Sequence, residues 1–320
     1  MGGFKLRFNP QRKIAIDLAG GIGNQFFRYF AGLVVAEKLN APLRVYFTEL
    51  DRSHSQFNSR ITDLSTDLQV EYKTPIKGLR SFFVRVVSFL TYKFRVVEYC
   101  RDKVMGIYKE SGQDLQHEIE AIERLYRRFP YPRTIHLRGH FQDLNYFHYA
   151  KEVRLPQVKA FSEIVPLEPL KVSKVLDIDK KICLVHVRRG DFKNHKSDIG
   201  LLDSEYYRRA MSLFVRKHAN SHFLVISDDI AECKKLLPIE FQSISTFSEE
   251  SQLMNPAELL QKSIAFKSFI LSNSTYSLWI ALLAKDPSTV IYPSPYNLDL
   301  DVSVRSFPQD WIAVQSSFLS

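Results

Sequence analysis

Short apolar segments alternate with amphipathic segments along the second half of the chain. Residues 181–187 are almost entirely apolar, as in a buried strand of a parallel sheet, and residues 204–218 place their apolar side chains on one helical face. The same alternation predicts strands at 222–226, 243–247, 267–272 and 289–292, and helices at 230–237, 256–264 and 276–285. Strands separated by helices of about ten to fifteen residues predict a parallel α/β sheet.

The first half begins with the same kind of unit. A strand at 13–18 is followed by a glycine-rich turn, a helix at 26–39 and a second strand at 43–47. This order is that of a βαβ unit. Residues from about 50 to 130 are less regular and favour helix, and a strand-like segment at 134–142 follows them.

Two prolines, Pro156 and Pro166, stand among polar residues and predict a linker between the halves. We therefore expect an α/β protein of two facing Rossmann-like domains, over residues 1–165 and 166–320, with a cleft between them. Such sheets bind ligands at the carboxyl ends of their strands. The polar residues that follow each strand are thus the candidate site.

One apolar strand runs directly into the sequence Arg-Arg-Gly-Asp at residues 188–191. The planar guanidinium group matches phosphate oxygens, so these arginines predict an anionic ligand, first of all a phosphate ester. Because strand side chains alternate, His186 and Arg188 are expected on one face and Arg189 on the other. Arg188, with no acidic neighbour on its own face, is the candidate for ligand contact; Arg189 either binds the ligand, pairs with Asp191 or caps a nearby carbonyl.

The turn at residues 20–25, Gly-Gly-Ile-Gly-Asn-Gln, lies between a strand and a helix, where backbone amides can approach an anion. It is not the dinucleotide fingerprint, because Phe26 stands three positions after Gly23, and it lacks the lysine of a P-loop. The alternative is a tight turn that needs positive φ. The amides of Asn24 and Gln25 favour binding of sugar hydroxyls or a departing phosphate.

Hydroxyl and carboxylate groups follow two other predicted strands. Residues 272–277, Ser-Asn-Ser-Thr-Tyr-Ser, precede a helix, where Ser274 or Thr275 can cap the helix or bind phosphate through the same groups. In the sequence Ser-Asp-Asp at 227–229, Asp228 can accept from a ribose or a guanine edge, or a carboxylate there can cap the next helix. A metal site is disfavoured, because the arginines already supply positive charge for a diphosphate.

The formal net charge is +9 and the isoelectric point is near 9.3, which fits an anionic membrane, nucleic acid, a phosphorylated substrate or solubility alone. Basic and aromatic residues interleave over 77–103, a pattern of a basic amphipathic element that rests on an anionic bilayer or packs on the protein. Because no nucleic-acid motif accompanies the charge, we do not expect a nucleic-acid partner.

Three cysteines, Cys100, Cys183 and Cys233, are odd in number and lack metal-ligand spacing, so neither disulfides nor a zinc site is expected. Charges interrupt the apolar runs well before about twenty residues, and no apolar signal core follows the basic start. These features predict a cytoplasmic protein, with peripheral contact at the inner face of the membrane as a further possibility.

In combination, the polar segments resemble the signatures of the α-1,2-fucosyltransferases, glycosyltransferase family eleven. The three signature segments are residues 20–27, 186–191 and 272–277, and supporting matches are 139–142, Tyr146, Phe147, His195, Gly200, Tyr206, Tyr207 and Trp311. The resemblance implies a GT-B fold, GDP-β-L-fucose as donor, a glycan acceptor, inversion at the sugar carbon, and no metal or other cofactor.

The resemblance also implies roles for single residues. Arg188 would hold the donor diphosphate, with His186 and Arg189 around it, Asp228 would bind the nucleoside, and Asn24 would contact the departing phosphate or the fucose. The other expected donor-binding residues are Gly21, Gly23, Ser274, Thr275 and Ser277. Two carboxylates are candidates for the catalytic base: Asp191, which can instead position the arginine loop, and Asp17, which lies within a strand.

The chemistry of the leaving group agrees with a fucosyltransferase, because fixed cations stabilise the charge that grows on a departing diphosphate. The resemblance implies that the acceptor hydroxyl is the 2-OH of a galactoside. A second hypothesis is a non-catalytic anion- or nucleotide-binding module that attaches to a membrane through residues 77–103. A Rossmann oxidoreductase is the weakest, since the dinucleotide fingerprint is absent.

Overall fold

A computed structural model describes residues 12–47, 59–64, 106–128, 134–164, 166–170, 180–190, 192, 199–299 and 304–319. The described strands are β1 (Lys13–Asp17), β2 (Leu43–Tyr46), β3 (Ile107–Lys109), β4 (Thr134–Arg138), β5 (Lys181–Val187), β6 (Ser221–Ser227), β7 (Ser245–Phe247), β8 (Ser268–Ile270), β9 (Thr289–Ser294) and β10 (Ile312–Gln315). The described α-helices are α1 (Ile22–Lys38), α2 (Leu115–Arg128), α3 (Asn145–Glu152), α4 (Pro156–Ser162), α5 (Ser204–Lys217), α6 (Ile230–Leu236), α7 (Ile239–Gln242), α8 (Pro256–Ser263) and α9 (Thr275–Leu283). Short 3-10 helices lie at Ile61–Asp63 and Glu249–Gln252.

Two parallel sheets organise these elements. The first has the order β2-β1-β4-β3, and the second has the order β10-β9-β8-β5-β6-β7. Counted from β5, the second order is that of a Rossmann sheet: the chain adds β6 and β7 on one side of β5, then crosses over to add β8, β9 and β10 on the other side. The buried residues of β5 and β6 explain their continuous apolar runs, because a parallel sheet is covered on both faces. The predicted GT-B-like architecture, with two Rossmann-like units, is confirmed.

The strands of the second half begin and end within two residues of the prediction, whereas three predictions in the first half are wrong. Helix α1 begins at Ile22 and not at Phe26, so most of the glycine-rich segment forms the first helical turn. Strand β4 stops at Arg138, before the predicted end at Gln142. Pro156 is the first residue of α4 rather than part of a linker, since proline is favoured at a helix start.

Several elements escaped prediction. Strands β3 and β10 have only three and four residues, too few for a periodic pattern. Helices α3 and α4 lie between β4 and Pro166. The polar residues of this stretch made its sequence look irregular. The two sheets fall on either side of the proposed boundary between residues 165 and 166, and the exact boundary stays a prediction.

The two units are joined through helices α1 and α9. Trp279 of α9 is fully buried, and it stacks on Phe30 of α1 with ring centroids 5.4 Å apart and on Phe26 at 4.8 Å. Phe147 of α3 packs edge-on against the same indole at 5.2 Å. The hydrophobic core is therefore continuous between the sheets, and it fixes the end of β1 against the end of β8.

The last segment of the second unit returns to the first. The backbone of Arg305 pairs with the chain near β4: its amide donates to the Gln142 carbonyl at 3.0 Å, and its carbonyl accepts from the Leu144 amide at 3.1 Å. The side-chain NH2 group of Asn145 donates to the Ser306 hydroxyl at 2.8 Å. These bonds tie the residues after β4 to the second unit as well.

Candidate functional site

A turn after β5 carries the arginine pair, and Asp228 at the end of β6 holds it. One carboxylate oxygen of Asp228 accepts from the Arg189 amide at 2.9 Å, and the other lies 3.1 Å from the Arg188 guanidinium. A carboxylate in this position fixes both the path of the turn and the direction of the Arg188 side chain. Arg188 therefore has an acidic partner, contrary to the expectation, because β6 supplies one from the neighbouring strand.

The two arginines lie on opposite faces, as the strand alternation predicts. Arg188 keeps 31% of its side chain exposed and contacts the Phe192 ring at 5.6 Å. Arg189 is 1% exposed and donates to the Leu202 carbonyl at 2.6 Å. The carbonyl-capping alternative for Arg189 is thus confirmed, and its expected contact with the donor stays a prediction that this burial does not favour.

His186 lies on the Arg188 face, almost fully buried. Its Nδ1 is 2.8 Å from the hydroxyl of Ser272 at the end of β8, and its ring is 5.7 Å from that of Tyr276. Burial, with the nearby Arg188 charge as the next cause, lowers the pKa of His186 to about 3. At neutral pH this imidazole is uncharged, so it can offer a hydrogen bond to a ligand but no positive charge.

Asn24 of α1, in the first unit, lies against the start of α9 in the second unit. Its side-chain oxygen accepts from the Thr275 hydroxyl at 3.0 Å and from the Gln142 side-chain NH2 group at 3.2 Å. Within the residues that the structure describes, the Asn24 NH2 group has no hydrogen-bond partner. Because its oxygen is held from both units, this NH2 group has a fixed direction and can donate to a sugar or phosphate oxygen.

Gly23 lets the two units approach each other closely. A Cβ atom at this position would lie 2.5 Å from the Thr275 carbonyl carbon and 2.6 Å from the Tyr276 nitrogen. Only glycine therefore fits between α1 and the start of α9. Gly21, the N-cap of α1, meets no atom within 4 Å of such a Cβ, so its backbone faces open space.

Replacing Gly23 with alanine is expected to lower the free energy of unfolding by about 1–3 kcal/mol, since the added methyl group overpacks the contact with Thr275. In an ordinary helix the same change would be stabilising by roughly 0.5–1 kcal/mol, so the sign itself is informative. Urea unfolding measures the effect. Gly21→Ala is the matched control: because alanine is a poorer N-cap than glycine, it should cost stability, but less than about 1 kcal/mol. A stabilised Gly23→Ala protein would contradict the close contact.

The hydroxyls at the start of α9 are mostly engaged in hydrogen bonds within the protein. The Ser274 hydroxyl accepts from the Tyr276 amide at 3.3 Å, which confirms the N-cap alternative. The fully buried Ser277 hydroxyl donates to the Ser272 and Ser274 carbonyls at 3.0 and 2.9 Å. Thr275, whose hydroxyl bonds to Asn24, is partly exposed. Contact of Ser274 and Ser277 with phosphate stays a prediction, and their hydrogen bonds within the protein do not favour it.

Gln25 is a structural residue, in contrast to the expected contact with sugar or phosphate. It is fully buried, and its NH2 group donates to the Gly20 and Ser59 carbonyls at 3.0 and 2.9 Å. Its oxygen accepts from the Ile61 amide at 3.1 Å. All its hydrogen-bonding groups are used to hold the turn after β1. This role depends on the distant residues Ser59 and Ile61, so the sequence around Gln25 does not indicate it.

Two buried tyrosines hold strand ends at the site. The Tyr206 hydroxyl donates to the Leu271 carbonyl at 2.6 Å, and the Tyr296 hydroxyl donates to the Ser274 carbonyl at 2.8 Å. Burial raises the pKa of both phenols, so they remain protonated donors. Of the two aspartates after β6, Asp229 caps α6 by accepting from the Glu232 amide at 3.0 Å. Asp228 is the one that binds the arginine turn.

Some predictions fall on residues outside the described ranges, namely Asp191, His195 and the basic segment 77–103. They stay predictions. Among the described residues, Cys183 and Cys233 are buried free thiols, and no three acidic, histidine or cysteine side chains are grouped to hold a metal ion. None of the described helices combines the length and the apolar character needed to cross a bilayer.

A cationic turn at the point where a Rossmann sheet reverses its strand order is typical of proteins that bind nucleotides or their sugar derivatives. The fold and the site therefore define an α/β protein with a candidate anion-binding site where the strand order of its second sheet reverses. Arg188 provides the positive charge, and Asn24 closes the site from the other unit.

Comparison with known proteins identifies the family. The model of glycosyl transferase family 11 matches residues 114–315, and the chain belongs to this family. An Escherichia coli protein described as alpha-1,2-colitosyltransferase is 25% identical over 319 residues, which cover 94% of this chain and 99% of that protein. Galactoside alpha-(1,2)-fucosyltransferase 1 of Pan troglodytes is 25% identical over 163 residues, 48% of this chain and 44% of that protein. Among solved structures, the fucosyltransferase NodZ from Bradyrhizobium is similar with a TM-score of 0.41 and 12% identity, over 86% of this chain and 94% of that one.

Proposed function

We propose that this glycosyltransferase transfers L-fucose from GDP-β-L-fucose to the 2-hydroxyl of a galactoside, with inversion at the sugar carbon. The observation that carries the proposal is the Arg188–Asp228 ion pair, 3.1 Å long, at the reversal point of the second sheet. It presents a fixed, partly exposed cation where a Rossmann sheet binds its ligand. A donor diphosphate is the anion that suits this cation and the enzyme family together.

The chemistry requires charge stabilisation at the leaving group. As the bond between the sugar carbon and phosphate breaks, negative charge grows on GDP and the sugar becomes oxocarbenium-like. Arg188 would stabilise that charge more strongly than it stabilises the bound donor, because Asp228 has already fixed its position. The Asn24 NH2 group would donate to the leaving phosphate or to a sugar hydroxyl, and His186 would remain a neutral neighbour.

The acceptor position is supported by the relatives' names. Both the colitosyltransferase and the mammalian fucosyltransferase are described as forming α-1,2 linkages, and the second is described as acting on a galactoside. Formation of an α linkage from a β-configured donor is an inversion, which a single displacement accomplishes. No metal is needed in this proposal, because an arginine supplies the charge at the diphosphate.

A GDP-release assay with matched donors and acceptors tests the proposal. The donors are GDP-fucose, GDP-mannose and the GDP derivative of colitose, the sugar in the name of the Escherichia coli relative. The acceptors are a β-galactoside and its 2-deoxy analogue. We expect release to be fastest with GDP-fucose, to require the β-galactoside, to be absent with the 2-deoxy analogue, and to persist in EDTA.

Each arm has its own contrary result. Faster GDP release from GDP-colitose would mean that colitose, and not fucose, is the donor sugar. Undiminished transfer to the 2-deoxy analogue would exclude the 2-hydroxyl as acceptor. Loss of turnover in EDTA, restored by a divalent cation, would overturn the metal-independent mechanism. Absence of GDP release with every donor and acceptor would count against the proposed activity as a whole.

A further inference from the structure

A carboxylate of the first unit lies at the same sheet edge as Asn24. Glu110 directly follows β3, and residues 139–142 directly follow β4, which pairs with β3 and with β1. Because all these strands are parallel, their carboxyl ends meet at one edge of the sheet, where the turn before α1 also lies. Glu110 was not singled out from the sequence, since β3 is too short to be recognised there.

The backbone after β4 anchors one oxygen of Glu110. Its Oε2 accepts from the amides of His140 and Phe141, both at 2.8 Å. The side chain lies directly over Gly139, where an added Cβ would be 2.4 Å from the same oxygen. Phe141 has a φ of +53°, a left-handed conformation that is a rare outlier for a bulky residue and is characteristic of functional sites.

This anchored turn leads directly to the donor-side contact. The residue after Phe141 is Gln142, whose side-chain NH2 group donates to the Asn24 side-chain oxygen at 3.2 Å. Phe141, which binds Glu110, and Gln142, which binds Asn24, are therefore adjacent in the chain. Glu110 itself is partly exposed, and its second oxygen, Oε1, has no hydrogen-bond partner within the part of the chain that the structure describes.

Two other described carboxylates of the first unit are buried and committed to other partners. Glu118 is 1% exposed and accepts from the Tyr108 hydroxyl at 2.5 Å and from the Ser111 hydroxyl and amide at 2.5 and 2.8 Å. Asp143 is 3% exposed and accepts from the Asn145 amide at 2.9 Å. Both carboxylates are inaccessible to a sugar hydroxyl, whereas Glu110 is not.

We propose that Glu110 is the general base that takes the proton of the acceptor hydroxyl, an inference that rests on the proposed function. The acceptor oxygen bonds to the anomeric carbon, its proton passes to Glu110 Oε1, and the bond from that carbon to phosphate breaks. The electron pair of the broken bond leaves on GDP, next to Arg188. Glu110 then returns the proton to solvent, so atoms and charge balance.

Glu110→Gln tests the proposal, because glutamine retains an oxygen that can accept from the His140 and Phe141 amides. General-base catalysis contributes about 10²–10⁴-fold, so kcat for transfer to the β-galactoside is expected to fall at least about a hundredfold. The Kd for GDP is expected to stay within about twofold, because Glu110 does not touch the donor. Glu120→Gln, on the exposed face of α2, is the matched control and should keep wild-type kcat.

Azide separates a missing base from structural damage. This anion attacks the sugar carbon without a proton to lose, forming fucosyl azide as GDP departs. We expect azide to raise GDP release by Glu110→Gln at least about tenfold, within the contribution of a general base, and to leave the wild-type rate nearly unchanged. Thermal unfolding of the variant close to that of the wild type establishes that the fold is retained.

Several outcomes would overturn the role of Glu110. One is a Glu110→Gln kcat above a tenth of the wild-type value, and another is low turnover that azide does not restore, whether or not the variant unfolds early. Failure of the proposed function looks different, because the wild type itself would then release no GDP from GDP-fucose with a galactoside.

Discussion

Arg188→Ala is expected to lower turnover with GDP-fucose by at least about a hundredfold while leaving unfolding cooperative. Loss of one fixed donor to a developing anionic oxygen costs about 10²–10³ in kcat, or roughly 2.7–4 kcal/mol of transition-state stabilisation. The guanidinium lies 3.1 Å from Asp228 and is partly exposed, so its removal takes away the cation without opening the core. Steady-state kinetics, with GDP release as the readout, measure the loss.

Arg208→Ala is the control for this prediction. Arg208 is an exposed arginine of α5, paired with Glu205 at 2.8 Å and Glu240 at 2.9 Å, and it lies on the solvent face of its helix. Its variant should keep wild-type kcat, because surface ion pairs of this kind contribute about 0–1 kcal/mol to stability and do not touch the donor. Near-wild-type turnover of Arg188→Ala would remove Arg188 from the proposed mechanism.

Trp279→Ala is expected to lower the free energy of unfolding by about 3–5 kcal/mol, the largest stability change we expect. The indole is fully buried between Phe26 and Phe30, so its removal leaves a cavity between α1 and α9 that the stacked rings cannot fill. Because α1 and α9 also carry Asn24 and Thr275, the surviving folded protein should show weaker donor turnover. Urea unfolding gives the stability change.

Leu253→Ala provides the comparison for that measurement. Leu253 is 81% exposed, so its truncation should change the free energy of unfolding by no more than about 0.5 kcal/mol. A loss below about 1 kcal/mol for Trp279→Ala would mean that the α1–α9 contact contributes little, and that the two units are held together elsewhere.

The sequence was sufficient for what depends on local patterns. The apolar run of β5 and the polar residues that follow it predict both the strand and the cationic turn, and alternation correctly separates Arg188 from Arg189. The stripe of α5 likewise predicts its helix. Periodicity works in these segments because each element buries a continuous face.

What the sequence could not provide depends on partners far along the chain. Asp228 is forty positions after Arg188, and nothing local to either residue predicts their ion pair. The Gly23 contact exists only because the backbone of Thr275 approaches it, and sequence periodicity carries no information about that approach. Glu110 escaped notice for the same reason, since its place at the site is set by the amides after β4.

The proposed transfer of fucose to the 2-hydroxyl of a galactoside is tested most directly by the structure of the product that the wild-type protein forms from GDP-β-L-fucose and a β-galactoside. NMR spectroscopy of the purified product identifies both the configuration of the new linkage and the oxygen that carries it. We predict a single α-linked fucose on O2 of the galactose, with one GDP released for each product molecule. A β linkage, attachment at another oxygen, or no fucosylated product would contradict the account.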